Sequence, residues 1–181
     1  DECIPEQFEY RISTLFHAFL FEIVLFNETE VTGNDWVGAF NGDVCVGARE
    51  WDPSACFNNI CEIVVMGVDG SDFTAGYMEE GDTPTFKIFN FSEDEVYNAV
   101  SSEQIPFENL SFNVIDSLNV FPDCYGTLGG DIFNADDDEF CDDVDECIGE
   151  EDECEICGGD NSTCSDCMGI PNGLFIDSDE D

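Results

Sequence analysis

Forty-four carboxylates face three cationic side chains, Arg11, Arg49 and Lys87, and the formal net charge is −41. Repulsion at that charge opposes any compact state unless counter-ions bind. Disorder is one way to carry it. Seventeen Phe and 43% hydrophobic residues argue instead for a packed core neutralised by bound cations or salt. The same imbalance excludes two partners. Nucleic acid needs a basic patch, and so does an anionic membrane surface. The longest apolar run, Leu15–Phe26, carries His17 and Glu22 and is too short to span a bilayer.

One stretch shows where cations would go. From Asn134 to Asp145, side-chain oxygens fall at positions one, three, five, nine and twelve: Asn134, Asp136, Asp138, Asp142 and Asp145. Position seven, Phe140, offers a backbone carbonyl. A hard cation wants six to eight oxygens, and this is the ligand spacing of a Ca2+ loop. The sixth position holds Glu139 instead of the usual Gly, so a helix-flanked sensor loop is not expected. The alternative is a solvated acidic linker that binds cations diffusely.

Eleven cysteines in 181 residues point to an oxidising compartment. Four acceptor sequons agree with it, at Asn27, Asn90, Asn109 and Asn161. The chain is expected to be extracellular, and its acidic opening, Asp1-Glu2-Cys3, suggests a processed or excised chain. Cys56 and Cys61 are placed to close a small loop. Cys154-x-x-Cys157 and Cys164-x-x-Cys167 have the form of a zinc site, but the gap between them is short and Cys141 and Cys147 lie close by. Disulfides, preferably between near neighbours, are therefore expected in a region with little core to hold it. Connectivity stays open. Cys3, Cys45 and Cys124 remain, and the odd total leaves one thiol free or bridged to another chain. Cys3 and Cys167, nearest the ends, are the candidates for such a bridge.

Composition breaks near Pro122. Before it, 23 of 122 residues are acidic; after it, 21 of 59. We expect an all-β sandwich, jelly-roll or Ig-like, over residues 1–121, and a mostly irregular acidic tail over 122–181. Short runs rich in Val, Ile and Phe, punctuated by Gly, Asn, Asp and Pro, predict seven or eight strands. They are Phe16–Phe26, Trp36–Phe40, Val44–Ala48, Cys61–Met66, Thr83–Asn90, Val96–Val100 and Phe112–Val120. Asn41-Gly42 between two of these runs predicts a tight hairpin with both central residues at positive φ.

Gly33-Asn-Asp-Trp-Val-Gly-Ala-Phe-Asn-Gly-Asp-Val-Cys-Val-Gly-Ala48 and Gly76–Phe89 resemble a β-sandwich repeat of large secreted prokaryotic surface proteins. The resemblance covers most of residues 10–120. It implies an extracellular, often tandem, structural or adhesive module, and it implies no catalytic residues. Asn134–Cys147 is similar to thrombospondin type 3 repeats, strings of calcium-binding aspartates pinned by disulfides. Cys154–Gly173 looks like the short cysteine repeats of secreted multidomain proteins, except that Glu155 stands where those repeats have Gly. That departure puts a tight backbone turn in doubt.

Asp177, Asp179 and Asp181, read on into Asp1-Glu2-Cys3, fall in register with Asn134–Cys141. This suggests copies joined head to tail, in tandem or as separate protomers, with calcium at the junction. Leu15–Phe26, apolar on both faces, is a candidate donated strand. Other constellations read as ordinary. His17 in an apolar run reads as a packed histidine and not a catalytic base. Asp69, Asp72 and Asp82 form a possible second cation site or merely a turn. Trp36, Trp51, Phe73 and Tyr77 are a possible sugar platform or merely core. No nucleophile elbow or phosphate-binding loop is present, and no enzyme is expected. The sequence thus favours an extracellular structural protein, part of a calcium-stabilised fibre of its own copies. The alternative is a carbohydrate-binding or adhesive module of a larger surface protein, with glycans as partners.

Overall fold

The computed structural model describes residues 4–31, 33–132, 134, 141–145, 147, 149, 151–165 and 170–173. The chain divides into two units, Asp1–Pro122 with Thr127–Gly130, and Asp123–Gly126 with Asp131–Asp181.

The first unit is all-β. Its strands are β1 (Phe16–Phe26), β2 (Thr29–Glu30), β3 (Trp36–Asn41), β4 (Val44–Glu50), β5 (Cys61–Met66), β6 (Thr85–Asn90), β7 (Glu95–Ser101) and β8 (Ser111–Val120). They form one sheet in the order β2-β1-β8-β7-β6-β3-β4, with β5 added on β1. β1 lies at the centre. β8 runs parallel along one edge, from His17 opposite Ser111 to Phe26 opposite Val120. β5 and β2 share the other edge, antiparallel, opposite Phe16–Phe21 and Leu25–Phe26. A parallel pair needs a long crossover, and here nearly the whole unit supplies it.

The sheet curls into two layers because β7 changes partners. Its residues Glu95–Ala99 pair with β6, and Val100 and Ser101 then pair with β8. Phe19, Phe21, Ile63 and Val65 from one layer thus meet Val37, Ala39, Val46, Phe86 and Ile88 from the other. Phe21 and Phe86 pack edge to face at 5.2 Å, and Trp51 is buried against Phe21 at 6.3 Å. Each fully buried side chain of this size stabilises by roughly 1.5–3 kcal/mol. The outer strands β4 and β5 also come together. Arg49 Nη1 lies 2.8 Å from Glu62 Oε1, and a Cβ on Gly47 would lie 2.3 Å from the Val64 carbonyl oxygen.

Two local expectations need correction. The β3–β4 hairpin forms, but Asn41 is its last strand residue, paired with Val44, and the turn residues are Gly42 and Asp43. Of that pair only Gly42 takes a positive φ, 59°. Leu15–Phe26 is not available for donation, since β1 is paired along both edges within its own chain.

The outer face of β3 is covered as well, which is why Trp36–Phe40 is buried on both sides. The cover is Ile4–Tyr10, a strap containing one three-ten turn, Glu6–Phe8. Phe8 is fully buried with Trp36, Phe40 and Cys45. It seats over Gly38, where a Cβ would stand 2.7 Å from its ring.

Candidate functional site

The second unit is held by covalent staples. Its described bridges are Cys124–Cys141, Cys147–Cys157 and Cys154–Cys164, the last two interleaved. Cys154 and Cys157 therefore belong to different bridges, and Cys154, Cys157 and Cys164 are not thiolates offered to zinc. Between the interleaved bridges one side chain organises the backbone. Asp152 accepts N–H bonds from Cys154 (2.9 Å), Ile156 (3.0 Å) and Asn161 (2.7 Å). Burial pushes its carboxyl up, but these donors together pull it below the usual carboxylate range. Asn161 answers by accepting the Glu153 N–H at 2.7 Å. The doubtful turn at Glu155 does form, with Glu155 itself at φ 60°.

Of the expected calcium ligands, Asn134, Asp142 and Asp145 are described. Asp136, Asp138, Phe140, Asp177, Asp179 and Asp181 lie outside the described residues, as do Cys3 and Cys167. One turn of chain sets the end of the loop: the Cys141 carbonyl accepts from both Val144 (2.9 Å) and Asp145 (3.0 Å). Asp145 then splits its carboxylate. Oδ1 accepts the Cys147 N–H at 2.8 Å, while Oδ2 is buried and, among the described residues, has no hydrogen-bond partner. A buried acceptor without a donor is destabilising by about 1–3 kcal/mol, and a hard cation is the kind of group that satisfies such an oxygen. Among the described residues, no group of three or more His, Cys, Asp or Glu stands close enough to hold a metal ion.

The other candidates resolve as follows. Asp69 is saturated by hydrogen bonds from Thr14, Ser71 and Thr74, and the Ser71 and Thr14 N–H groups hold its carboxyl well below the usual range. Asp82 accepts the Glu79 N–H. Both are turn-makers. His17 is buried, with Nδ1 accepting the Glu108 N–H (3.0 Å), so its proton sits on Nε2, toward Asn113 Oδ1 (2.8 Å). Cys56 and Cys61 are bridged. Cys45 is a buried free thiol, pushed up to about 11 by burial, and so is not a nucleophile. Asn27 lies exposed in the β1–β2 turn. Asn90, Asn109 and Asn161 use their side-chain oxygens to cap nearby backbone.

The four aromatic residues do not assemble into a platform. Trp51 and Tyr77 are in the core, and Phe73 is exposed apart from them. Trp36 instead borders a cavity of about 380 Å³ with Phe89 and Phe91, beside Asn34, Glu50 and Asp94. Between Asn34 and Trp36 in the chain, Asp35 accepts the Phe91 N–H at 2.9 Å, and burial pushes the Asp35 carboxyl up. Sequence reasoning had no signal for Phe89 and Phe91 in this role, because their neighbours come from other strands. A glycine inside a buried strand, Gly38, did carry a signal of close approach.

Among the described residues, no helix is long and apolar enough to cross a membrane. No protein-family model, curated protein or solved structure matches the chain.

Proposed function

We propose that this chain is an extracellular structural protein, one unit of a calcium-stabilised fibre built from its own copies. The observation that carries the reading is Asp145 Oδ2, a buried carboxylate oxygen without a donor. It ends a run with calcium-ligand spacing, in a chain with 44 acidic and three basic residues. Asn134, Asp142 and Asp145 would hold the ion with Asp136, Asp138 and the Phe140 carbonyl. Calcium would supply the positive charge the protein lacks and stiffen a region that otherwise repels itself. The disulfides fit an oxidising, extracellular setting. The reading assigns no catalytic residue. Calorimetric titration tests the site: binding of Ca2+ with defined stoichiometry, lost in Asp145→Asn, supports it, and featureless weak binding unchanged by that substitution refutes it.

The cavity bordered by Trp36, Phe89 and Phe91 favours a second reading, a carbohydrate-binding module. Aromatic faces beside Asn and carboxylate groups suit sugar hydroxyls and apolar ring faces together. Quenching or enhancement of tryptophan fluorescence by oligosaccharides, absent in Phe91→Ala, checks it.

A further inference from the structure

The cavity bordered by Trp36 is built on one rung of the sheet. Trp36 on β3 lies opposite Glu50 on β4 and opposite Phe89 on β6. Side chains of one rung share a face and stand about 4.5–5.5 Å apart at Cβ. A carboxylate and two aromatic side chains are thus set in a row. The β6–β7 turn adds Phe91 and Asp94 to the rim. Hydrogen bonds pin that turn. Asp35 accepts the Phe91 N–H at 2.9 Å, and Asn90 Oδ1 accepts the N–H groups of Ser92 (2.9 Å) and Glu93 (3.2 Å). Phe91 is held in place this way while its side chain stays 62% exposed.

The charge of the lining has one sign. Neither the Glu50 nor the Asp94 carboxylate has an ion-pair or hydrogen-bond partner among the described residues. The chain's three cations are all placed elsewhere. Arg49 precedes Glu50, but alternation along β4 puts it on the other face, where it pairs with Glu62 at 2.8 Å. Arg11 borders a different cavity. Lys87 is the nearest on this face, two residues before Phe89 along β6, and its ammonium sits over the Phe40 ring, 4.8 Å from the centroid. This face therefore already takes one cation against an aromatic ring. Trp36, Phe89 and Phe91, with two carboxylates beside them, have none.

A neutral sugar would meet the aromatic side chains and donate hydroxyl hydrogen bonds to the carboxylates. A sugar bearing a protonated amine does both and adds positive charge, which the rings attract as a cation–π contact and a carboxylate attracts as an ion pair. An acidic sugar is repelled by Glu50 and Asp94 alike. We propose that the cavity binds an amino sugar with a free ammonium group in preference to neutral or acidic sugars. This rests on the carbohydrate reading of the cavity and names its ligand class.

The test compares two disaccharides of similar shape, the β-linked glucosamine disaccharide and cellobiose, which carries hydroxyls where the other carries ammonium groups. Tryptophan fluorescence of the full-length protein reads binding, since Trp36 borders the cavity and Trp51 is buried in the core. The titration is run at about pH 6, where amine and carboxylates are charged. The glucosamine disaccharide is expected to bind about three- to thirtyfold more tightly, from one exposed cation–π contact and one surface ion pair. Asp94→Asn places a residue suited to the positive φ of 56° at this position. It should lower the preference severalfold and leave cellobiose binding unchanged. Glu50→Gln is read the same way and stands in where Asp94→Asn fails to fold. Phe91→Ala should abolish the response to both sugars. Equal binding of the two disaccharides overturns the charge selection and leaves the sugar site standing. A response to glucosamine that all three variants leave intact is diffuse attraction to an acidic surface, and it overturns the proposal. No response to either disaccharide overturns the proposal and the carbohydrate reading together.

Discussion

Gly47→Ala tests whether the sheet closes on itself, and the size of its effect follows from one distance. A Cβ at Gly47 would stand 2.3 Å from the Val64 carbonyl oxygen, 3.0 Å from its carbon and 3.4 Å from Val65 Cα. Those are backbone atoms of β5, which is itself paired to β1 opposite Ala18 and His17. They cannot swing aside as a side chain would. Relief needs a shift of about 1 Å in one strand, and overpacking of this kind costs about 1–3 kcal/mol. The loss of unfolded-chain freedom offsets about 0.4–1 kcal/mol of that. The net is a destabilisation of about 1–2 kcal/mol. Gly33→Ala is the control. It has nothing within 4 Å and no positive φ, so only the entropic gain remains, about 0.4–1 kcal/mol of stabilisation. The same chemical change therefore has opposite signs at the two sites. Urea unfolding followed by tryptophan fluorescence reads it, since Trp36 and Trp51 are both buried. A Gly47→Ala protein within about 0.5 kcal/mol of wild type would refute the close approach of β4 and β5.

Glu155→Gly relieves a left-handed residue, φ 60°, and should stabilise its turn by about 0.5–1 kcal/mol; hydrogen exchange at Ile156 and Asn161 is expected to slow about two- to fivefold. Asp69 has a lowered native carboxyl, so its contribution is complete above the ordinary carboxylate range and fades as pH falls through that range toward the native value. Acid unfolding of Asp69→Asn should accordingly show a shallower loss of stability below about pH 4 than wild type. Asp145→Asn keeps the acceptor for Cys147 and removes the orphan oxygen's charge. Calcium affinity should drop at least about tenfold while stability in chelator holds or rises, and an unchanged affinity would place the ion elsewhere.

β1 and β5 were legible to the residue because apolar runs end there in turn-forming Asn or Gly. β6 begins at Thr85, two residues later than its apolar pattern suggests, because Pro84 has no N–H to give a ladder. The hairpin after β3 was placed correctly but its turn was misread, since Asn41 joins the ladder through Val44. The strap was invisible: Ile4 and Phe8 among Glu6, Gln7 and Glu9 look like an exposed terminus, and only the curled sheet creates the face they cover. Aromatic residues could be counted but not sorted. Trp51 is core and Trp36 lines a cavity because of strands far away in sequence. Pairing of the seven tail cysteines was unreadable in principle, since even six thiols allow fifteen arrangements. What the sequence did carry was the ligand spacing from Asn134 to Asp145, and the structure adds to it the buried, unpartnered oxygen of Asp145.

The central claim is that calcium joins copies of this chain into a fibre. Light scattering on the intact protein, in calcium and then in excess chelator, tests it most directly. The account predicts large linear species in calcium that break or soften on chelation. A particle of about the mass of one chain, 20.1 kDa, under both conditions would contradict it.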